Sequence, residues 1–435
     1  MGIDRVCRNL RAGPKVLRKV PGGLRVARAA VIAAVAGCVL LTFSCATKSG
    51  SLQITKGPAL LAVSEDRAAV MWETNVAGSG TLSYGTGLVR LNEHVESKPQ
   101  PVDYGSGLGK QTVFVHKVWL EGLKPGQVYK YRVTGPNLQS ELWRFTTTPT
   151  KTDRVRFIVY GDSRTAPENH RKLVELMKKK NVDFVVHAGD LVTNGDKYEQ
   201  WGPQFFAPLK GLAESVPIYA VKGNHDRGRD CFEKLLIPEG RKKNFGFDYG
   251  PVHFFLADNS DKDTPAEETL DEIVADAAMS RAGWKFVTYH IPSLNAGGHW
   301  SAWGYPDALP GFAQVGVDFV VTGHSHQYER FRPIAPPEGT DGSYVTYITT
   351  GGGGAKLHDV KQGEYHARAV STYHFCLFEI KGGKLTLEAI DINGATIDQV
   401  EVTKTGGQLN KEYLATAVPM AEIVKYQKAN LSKEH

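Results

Sequence analysis

Beyond residue 153, five short apolar runs each stop at an Asp, Asn or His, four of them just after a glycine. Residues 182–186 lead into Gly189-Asp190, and residues 155–160 into Gly161-Asp162. Residues 216–221 lead into Gly223-Asn224-His225-Asp226, 286–289 into His290, and 317–322 into Gly323-His324-Ser325-His326. Runs of this length and β-branched content read as strands of a sheet covered on both faces. A lone Gly-Asp after a strand is ordinarily a turn. Repeated five times, it places polar groups at the carboxyl ends of strands, where open sheets bind their ligands. Asp, Asn and His together suit a divalent first-row metal, and one carboxylate between two such sets suits a metal pair.

The runs belong to an α/β pattern. Pro167 suits the first turn of a helix whose stripe is Leu173, Val174, Leu176 and Met177. A second helix is expected over 267–282, with Leu270, Ile273, Val274 and Ala277 on one face. Residues 52–148 instead read as short strands (68–73, 78–84, 111–120, 127–133 and 142–147) without helical periodicity, which implies an antiparallel sandwich. His94 and His116 lack partners at useful spacing there and read as surface or strand-filling groups. The expected organisation is a leader over 1–45, the sandwich over 52–148, a polar linker over 149–153, the α/β domain over 154–400, and a tail over 401–435. Strands are expected to fade beyond Asp391, with a short helix and a frayed end after Gly406.

The formal charge of +6 misleads if taken whole. Residues 1–45 hold eight Lys/Arg and one Asp; the remainder carries 44 basic and 45 acidic residues. The near-neutral body argues against a nucleic-acid surface. The leader is basic from Arg5 to Arg28 and apolar without charge from Ala29 to Cys45. These are the parts of an export signal. The Ser44-Cys45-Ala46 ending resembles a bacterial lipoprotein signal with Cys45 as the lipidated residue, so the body is expected in the cell envelope, anchored through lipid or an N-terminal span. Cys231 and Cys376 remain past the leader, able either to pair or to stay as two free buried thiols.

Taken together, GDSR at 161–164, GDLV at 189–192, GNHD at 223–226, His290 in VTYHIP and GHSH at 323–326 resemble the calcineurin-like metallophosphoesterases. FGFDYGPVHFFLADN at 245–259 and GHSHQYER at 323–330 are similar to the purple acid phosphatase branch. The segment 120–131 resembles a fibronectin type III pattern in which Tyr129 or Tyr131 buttresses a corner. The resemblance implies a fibronectin III-like sandwich followed by an α/β metallophosphoesterase domain of two packed β-sheets flanked by helices. It implies that Asp190 bridges two metals (Fe, Zn or Mn), that Asp162 and His326 hold the first, and that Asn224, His290 and His324 hold the second. Two cations about 3.5 Å apart repel, which is why a shared carboxylate and hydroxide lie between them in such sites. The implied reaction is hydrolysis of a small phosphate monoester by metal-bound hydroxide. Diesters or nucleotides are the alternative substrates, and a non-catalytic envelope lipoprotein is the alternative class.

The pattern departs from the family at two positions. Where many members place a His ligand two residues after the first Asp, this chain has Arg164; where purple acid phosphatases place a Tyr ligand, it has Thr193. Asn194 and Tyr198 are nearby candidates to substitute. Arg164 reads either as a bidentate phosphate holder, offsetting the missing ligand, or as a salt-bridged surface residue. By resemblance His225 is the proton donor to the leaving group or a group steadying a ligand, and His299 contacts phosphate or is an ordinary loop residue. His187 and His253 read as structural. The glycines 351–354 lack the Lys-Ser/Thr of a phosphate loop, which favours close packing near the cleft.

Overall fold

A computed structural model describes residues 51–87, 91–261 and 263–431. The leader, including Cys45, lies outside these residues.

The N-terminal β domain holds two antiparallel sheets. One runs in the order Ile54–Val63, Ala68–Thr74, Gln111–Leu120 and Gln100–Tyr104. The other joins Glu93–Ser97, Gly80–Gly85 and Val128–Gly135, the last also pairing Leu138–Gln139 and Trp143–Thr146. Alternating residues of both sheets, among them Leu60, Val70, Trp72, Leu82 and Val133, bury the interior. His116 fills that core: its ring stacks on Trp72 at 4.8 Å and bonds Thr74 Oγ1 and Ser97 Oγ. His94 bonds the neighbouring-strand Ser83. The expected corner is present, with Tyr129 Oη accepting from the Lys124 N–H at 2.9 Å.

The C-terminal domain holds two mixed sheets. In the first, Arg154–Tyr160, Phe184–His187 and Ile218–Ala220 run parallel, and Arg154–Tyr160 pairs on its other side with antiparallel His374–Lys381. In the second, Val252–Leu256, Trp284–Tyr289, Phe319–Thr322 and Thr346–Thr350 run parallel. The sheets meet through phenylalanines: Phe157 of the first stands edge-on to Phe254 and Phe286 of the second, at 4.8 and 5.2 Å. Helices Pro167–Met177 and Ala266–Met279 bury the expected faces, Leu173, Val174 and Met177 in one and Leu270, Ile273 and Ala277 in the other.

The strands do not fade after Asp391. Thr396–Thr405 is a full strand paired with Lys384–Asp391, and Met420–Leu431 is a helix that buries Ile423. Thr396–Thr405 buries little besides Val402, so its composition lacks the apolar mark of the central strands. The expected linker is entered under restraint: Thr147 and Thr148 are buried, and Thr147 Oγ1 donates to the Lys124 carbonyl at 2.6 Å.

Sandwich and α/β residues share one apolar core, in which Leu61, Met71 and Val102 join Phe157 and Leu209. Polar bonds reinforce the seam. The Leu60 N–H donates to Ala213, Tyr131 Oη to the Glu214 carbonyl, and Tyr219 Oη to the Val63 carbonyl. Lys56 and Glu73 form a buried ion pair at 2.7 Å, and Tyr198 Oη donates to the same carboxylate. The N-terminal sheets therefore brace the stretch between Tyr198 and Tyr219, the chain leading to Asn224. Cys231 and Cys376 are both free and buried.

Candidate metal centre

Parallel register sets the geometry. Tyr160 pairs with His187 and His187 with Ala220, while in the other sheet Tyr289 pairs with Thr322. Each candidate ligand lies one to four residues past these aligned ends, so Asp162, Asp190, Asn224, His290 and His324 leave the two sheets at one level. Three turn in left-handed backbone: Asp162 at φ 59°, Asp190 at 58° and His324 at 71°. Asp, Asn and His tolerate that region better than other non-glycine residues, and its strain gathers at functional sites. Gly223 is there for close approach; a Cβ on it would meet the Asp190 amide nitrogen and Oδ1 at 2.2 Å.

Two donor sets share Asp190. Donor atoms of Asp162, Asp190 and His326 lie within 4.8 Å of one another, and all three residues are buried. On the other side, Asn224 Oδ1 lies 3.1 Å from His290 Nε2 and 3.0 Å from His324 Nδ1, while His290 Nε2 is 3.3 Å from Asp190 Oδ1. Carbonyl contacts orient the rings. His290 Nδ1 faces the Ala188 carbonyl at 2.8 Å and His326 Nδ1 the Lys356 carbonyl at 2.7 Å, which turns each Nε2 inward.

The donor set fits cations. Asp162 Oδ2 accepts from the His324 N–H at 2.8 Å, but its Oδ1 is buried without a hydrogen-bond partner, 3.5 Å from His326 Nε2. A buried carboxylate oxygen left unmatched is costly unless a cation satisfies it. Electrostatics agree. Burial works against the charges of both Asp190 and His290, yet their mutual attraction wins, holding Asp190 below the usual carboxylate range and His290 up at about 9. Burial, then the His290 charge, presses His324 down to about 2, leaving a neutral donor. A cation here would displace the His290 proton, as metal binding to such sites does.

The remaining expected residues are placed as follows. His225 is half-buried; its backbone N–H donates to Asp190 Oδ1 at 2.9 Å, and its Nδ1 faces the Thr193 carbonyl at 2.9 Å. Arg164 is in the site, with Nε donating to Asp190 Oδ2 at 3.0 Å and a terminal nitrogen 3.4 Å from His326 Nε2. His299 lies at the mouth, its ring 5.2 Å from that of His324, and its loop is tied down by Asn295 and Ser325, which both donate to its carbonyl at 2.8 Å. Neither substitute for the missing ligands reaches the centre. Tyr198 turns away to Glu73, and Asn194 Oδ1 caps the Asp196 N–H on the surface. The Thr193 hydroxyl is held by Gln204. His187 is a core residue bonded to Ser163, and His253 bridges Asp248 and Asp276. The glycine run packs close, as expected: a Cβ on Gly353 would meet the Gly161 carbonyl at 2.3 Å.

Three supporting residues had escaped the sequence reading. Asp226 accepts from the Leu191, Val192 and Gly223 N–H groups and so clips two ligand loops together. Burial, then the charge of Asp190, pushes it up to about 7. Asn259 Oδ1 accepts from the His290 and Ile291 N–H groups. His358 stacks on His326 with ring centres 4.1 Å apart. Asp226 and Asn259 both close quoted motifs, which was the available signal; His358 stands alone in a loop and carried none.

Residues 155–328 match the calcineurin-like phosphoesterase family model, and residues 58–147 match that of the purple acid phosphatase N-terminal domain. The chain is similar to "Probable inactive purple acid phosphatase 1" of Arabidopsis thaliana, 23% identical over 311 residues covering 56% of this chain and 49% of that protein. It is also similar to "Purple acid phosphatase 21" of the same plant, 27% identical over 264 residues covering 55% and 58%. The chain thus spans about half the length of these curated relatives. The solved purple acid phosphatase PPD1 from yellow lupin (Lupinus luteus) seeds shares the fold, with TM-score 0.66 and 18% identity over 83% of this chain and 76% of that one.

Proposed function

We propose that this chain, which carries a calcineurin-like phosphoesterase domain behind a purple acid phosphatase N-terminal domain, is an exported metal-dependent phosphoesterase acting on small phosphate monoesters. The observation that carries the reading is the unmatched Asp162 Oδ1 beside two donor sets that share Asp190. Asp162, Asp190 and His326 would hold one cation, and Asp190, Asn224, His290 and His324 a second. Bound there, such ions polarise phosphoryl oxygens and lower the pKa of water to about 7.

The chain's own groups supply the rest. His225 Nδ1 donates to the Thr193 carbonyl, so in the imidazolium form Nε2 would hand its proton to the leaving oxygen and leave the neutral Nδ1–H ring. Arg164 and His299 line the same cleft and would hold the phosphate there, without adding carboxylate repulsion. Export rests on the basic-then-apolar leader, with Cys45 as the proposed lipidated residue and the envelope as the proposed location. A non-catalytic role on the same scaffold is the competing reading, drawn from Arg164 and Thr193 standing where ligands are expected. Retention of the bridging Asp190, the whole second donor set and His225 weighs against it.

The test uses leaderless protein purified without chelators. Metal content is measured, and turnover of a chromogenic monoester and diester is followed before and after EDTA. Bound metal, with monoester turnover lost to EDTA and restored by Mn, Zn or Fe, is the expected result. Absence of both metal and turnover after supplementation would overturn the reading, and faster diester turnover would replace its substrate class.

A further inference from the structure

Four consecutive glycines let the chain pass directly beneath the first ligand loop: the Gly353 N–H donates to Gly161, and the Ala355 N–H to Asp162. The segment then rises along the cleft wall. The Lys356 carbonyl takes His326 Nδ1, and the backbones of His358 and His326 bond at 3.0 Å. This places the His358 ring flat on that of His326, 4.1 Å away at 20°, and 4.6 Å from the ring of His299. His358 Nδ1 accepts the His326 N–H at 3.1 Å. An imidazole that accepts at Nδ1 carries its hydrogen on Nε2 when neutral. That Nε2–H has no hydrogen-bond partner among the described residues, and the ring lines an open cleft with Arg164, Thr165, His299, His326 and Lys356. Asp359 is the single carboxylate on that lining.

We propose that His358 is a phosphate-binding residue, its Nε2–H aimed at an oxygen of the substrate phosphate held between Arg164 and His299. The inference rests on the phosphoesterase reading of the site and names a group outside the expected ligand and proton-donor set. Because Nδ1 is pinned by backbone, the donor is preorganised and costs little ordering on binding.

The test separates donation from scaffolding. In His358→Asn the side-chain oxygen can replace Nδ1 as acceptor for the His326 N–H, while the Nε2 donor is lost. His358→Gln returns a donor near Nε2, and His358→Phe removes both functions. Inorganic phosphate is titrated calorimetrically into metal-loaded protein, alongside metal content and monoester kinetics. A hydrogen bond to a charged group sets the scale. His358→Asn should weaken phosphate binding and raise KM about tenfold, with kcat and metal content little changed, and His358→Gln should recover most of the loss. Unchanged phosphate affinity in His358→Asn overturns the proposal, as does metal loss in His358→Asn equal to that in His358→Phe. Phosphate titration reads His358 without turnover, so an inactive wild type that still binds metal and phosphate would count against the function alone.

Discussion

Arg164 Nε donates to Oδ2 of Asp190 across 3.0 Å, and the same guanidinium stands 3.4 Å from His326 Nε2. A fixed positive charge therefore sits against both the shared carboxylate and the ring nitrogen that would face a cation. It offsets the charge of Asp190 but opposes a metal between Asp162 and His326. Replacing it by a nitrogen ligand reverses both effects. Arg164→His should tighten metal binding at that position about tenfold or more. Metal retained per chain after dialysis at limiting concentration is the measurement, and equal retention by wild type and variant would rule the opposition out.

His225 is held by a short relay. Gln204 Oε1 accepts both the N–H and hydroxyl of Thr193, whose carbonyl takes His225 Nδ1. A proton on Nε2 matters most when the leaving oxygen is a poor one. His225→Asn should lower kcat for an alkyl phosphate by about 10²–10⁴, and for an aryl phosphate distinctly less. Metal content should stay the same, because the ring itself belongs to neither donor set. The backbone N–H of residue 225, which holds Asp190, is kept in the variant, so an equal loss on both substrates would rule His225 out as the proton donor.

The candidate ligands were legible because strand ends in parallel register repeat one rule: apolar run, glycine, polar tip. Asp162, Asp190, Asn224, His324 and His326 obey it, His290 does so without the glycine, and all six converge. What failed were inferences from nearness in sequence. Tyr198 is eight residues past Asp190, yet it starts a short helix and points into the seam against Glu73. His358 is far from every motif and reaches the cleft only because four glycines tuck the chain beneath Asp162. Thr396–Thr405 was missed because its outer face meets solvent, leaving no continuous apolar run.

The GHSH loop hangs on a buried ion pair. Arg330 Nε and a terminal nitrogen donate to the two oxygens of Asp398 at 2.7 and 3.1 Å, and Tyr328 Oη adds a third bond at 2.7 Å. Both side chains of the pair are under a tenth exposed. Removing one partner strands the other, so Arg330→Ala should destabilise the fold by roughly 3–5 kcal/mol. The paired change Arg330→Met with Asp398→Leu should recover a substantial part. Urea unfolding of the three proteins checks this, and a double variant no better than the single would place the cost in packing rather than in the uncompensated charge.

His253 gives the fold a pH dependence away from the cleft. It links its own strand to helix Ala266–Met279, with Nδ1 2.7 Å from Asp248 Oδ1 and Nε2 2.6 Å from Asp276 Oδ2. Burial alone would lower its pKa, but the two carboxylates outweigh it and hold the ring above its ordinary 6.5. A base whose pKa is raised by folding stabilises the native state while it is protonated in both states. Its contribution is therefore complete below the unfolded value near 6.5 and is lost as pH climbs through the higher folded value. The Asp248 side chain is 72% exposed, so solvent screens part of this attraction. His253→Gln keeps a neutral hydrogen-bonding group and removes the charge. The melting-temperature gap between wild type and variant should be widest near pH 5.5 and should shrink steadily toward pH 9. A gap that stays constant across that range would mean the contact stabilises as a neutral hydrogen bond, and one that widens with pH would contradict the assigned protonation.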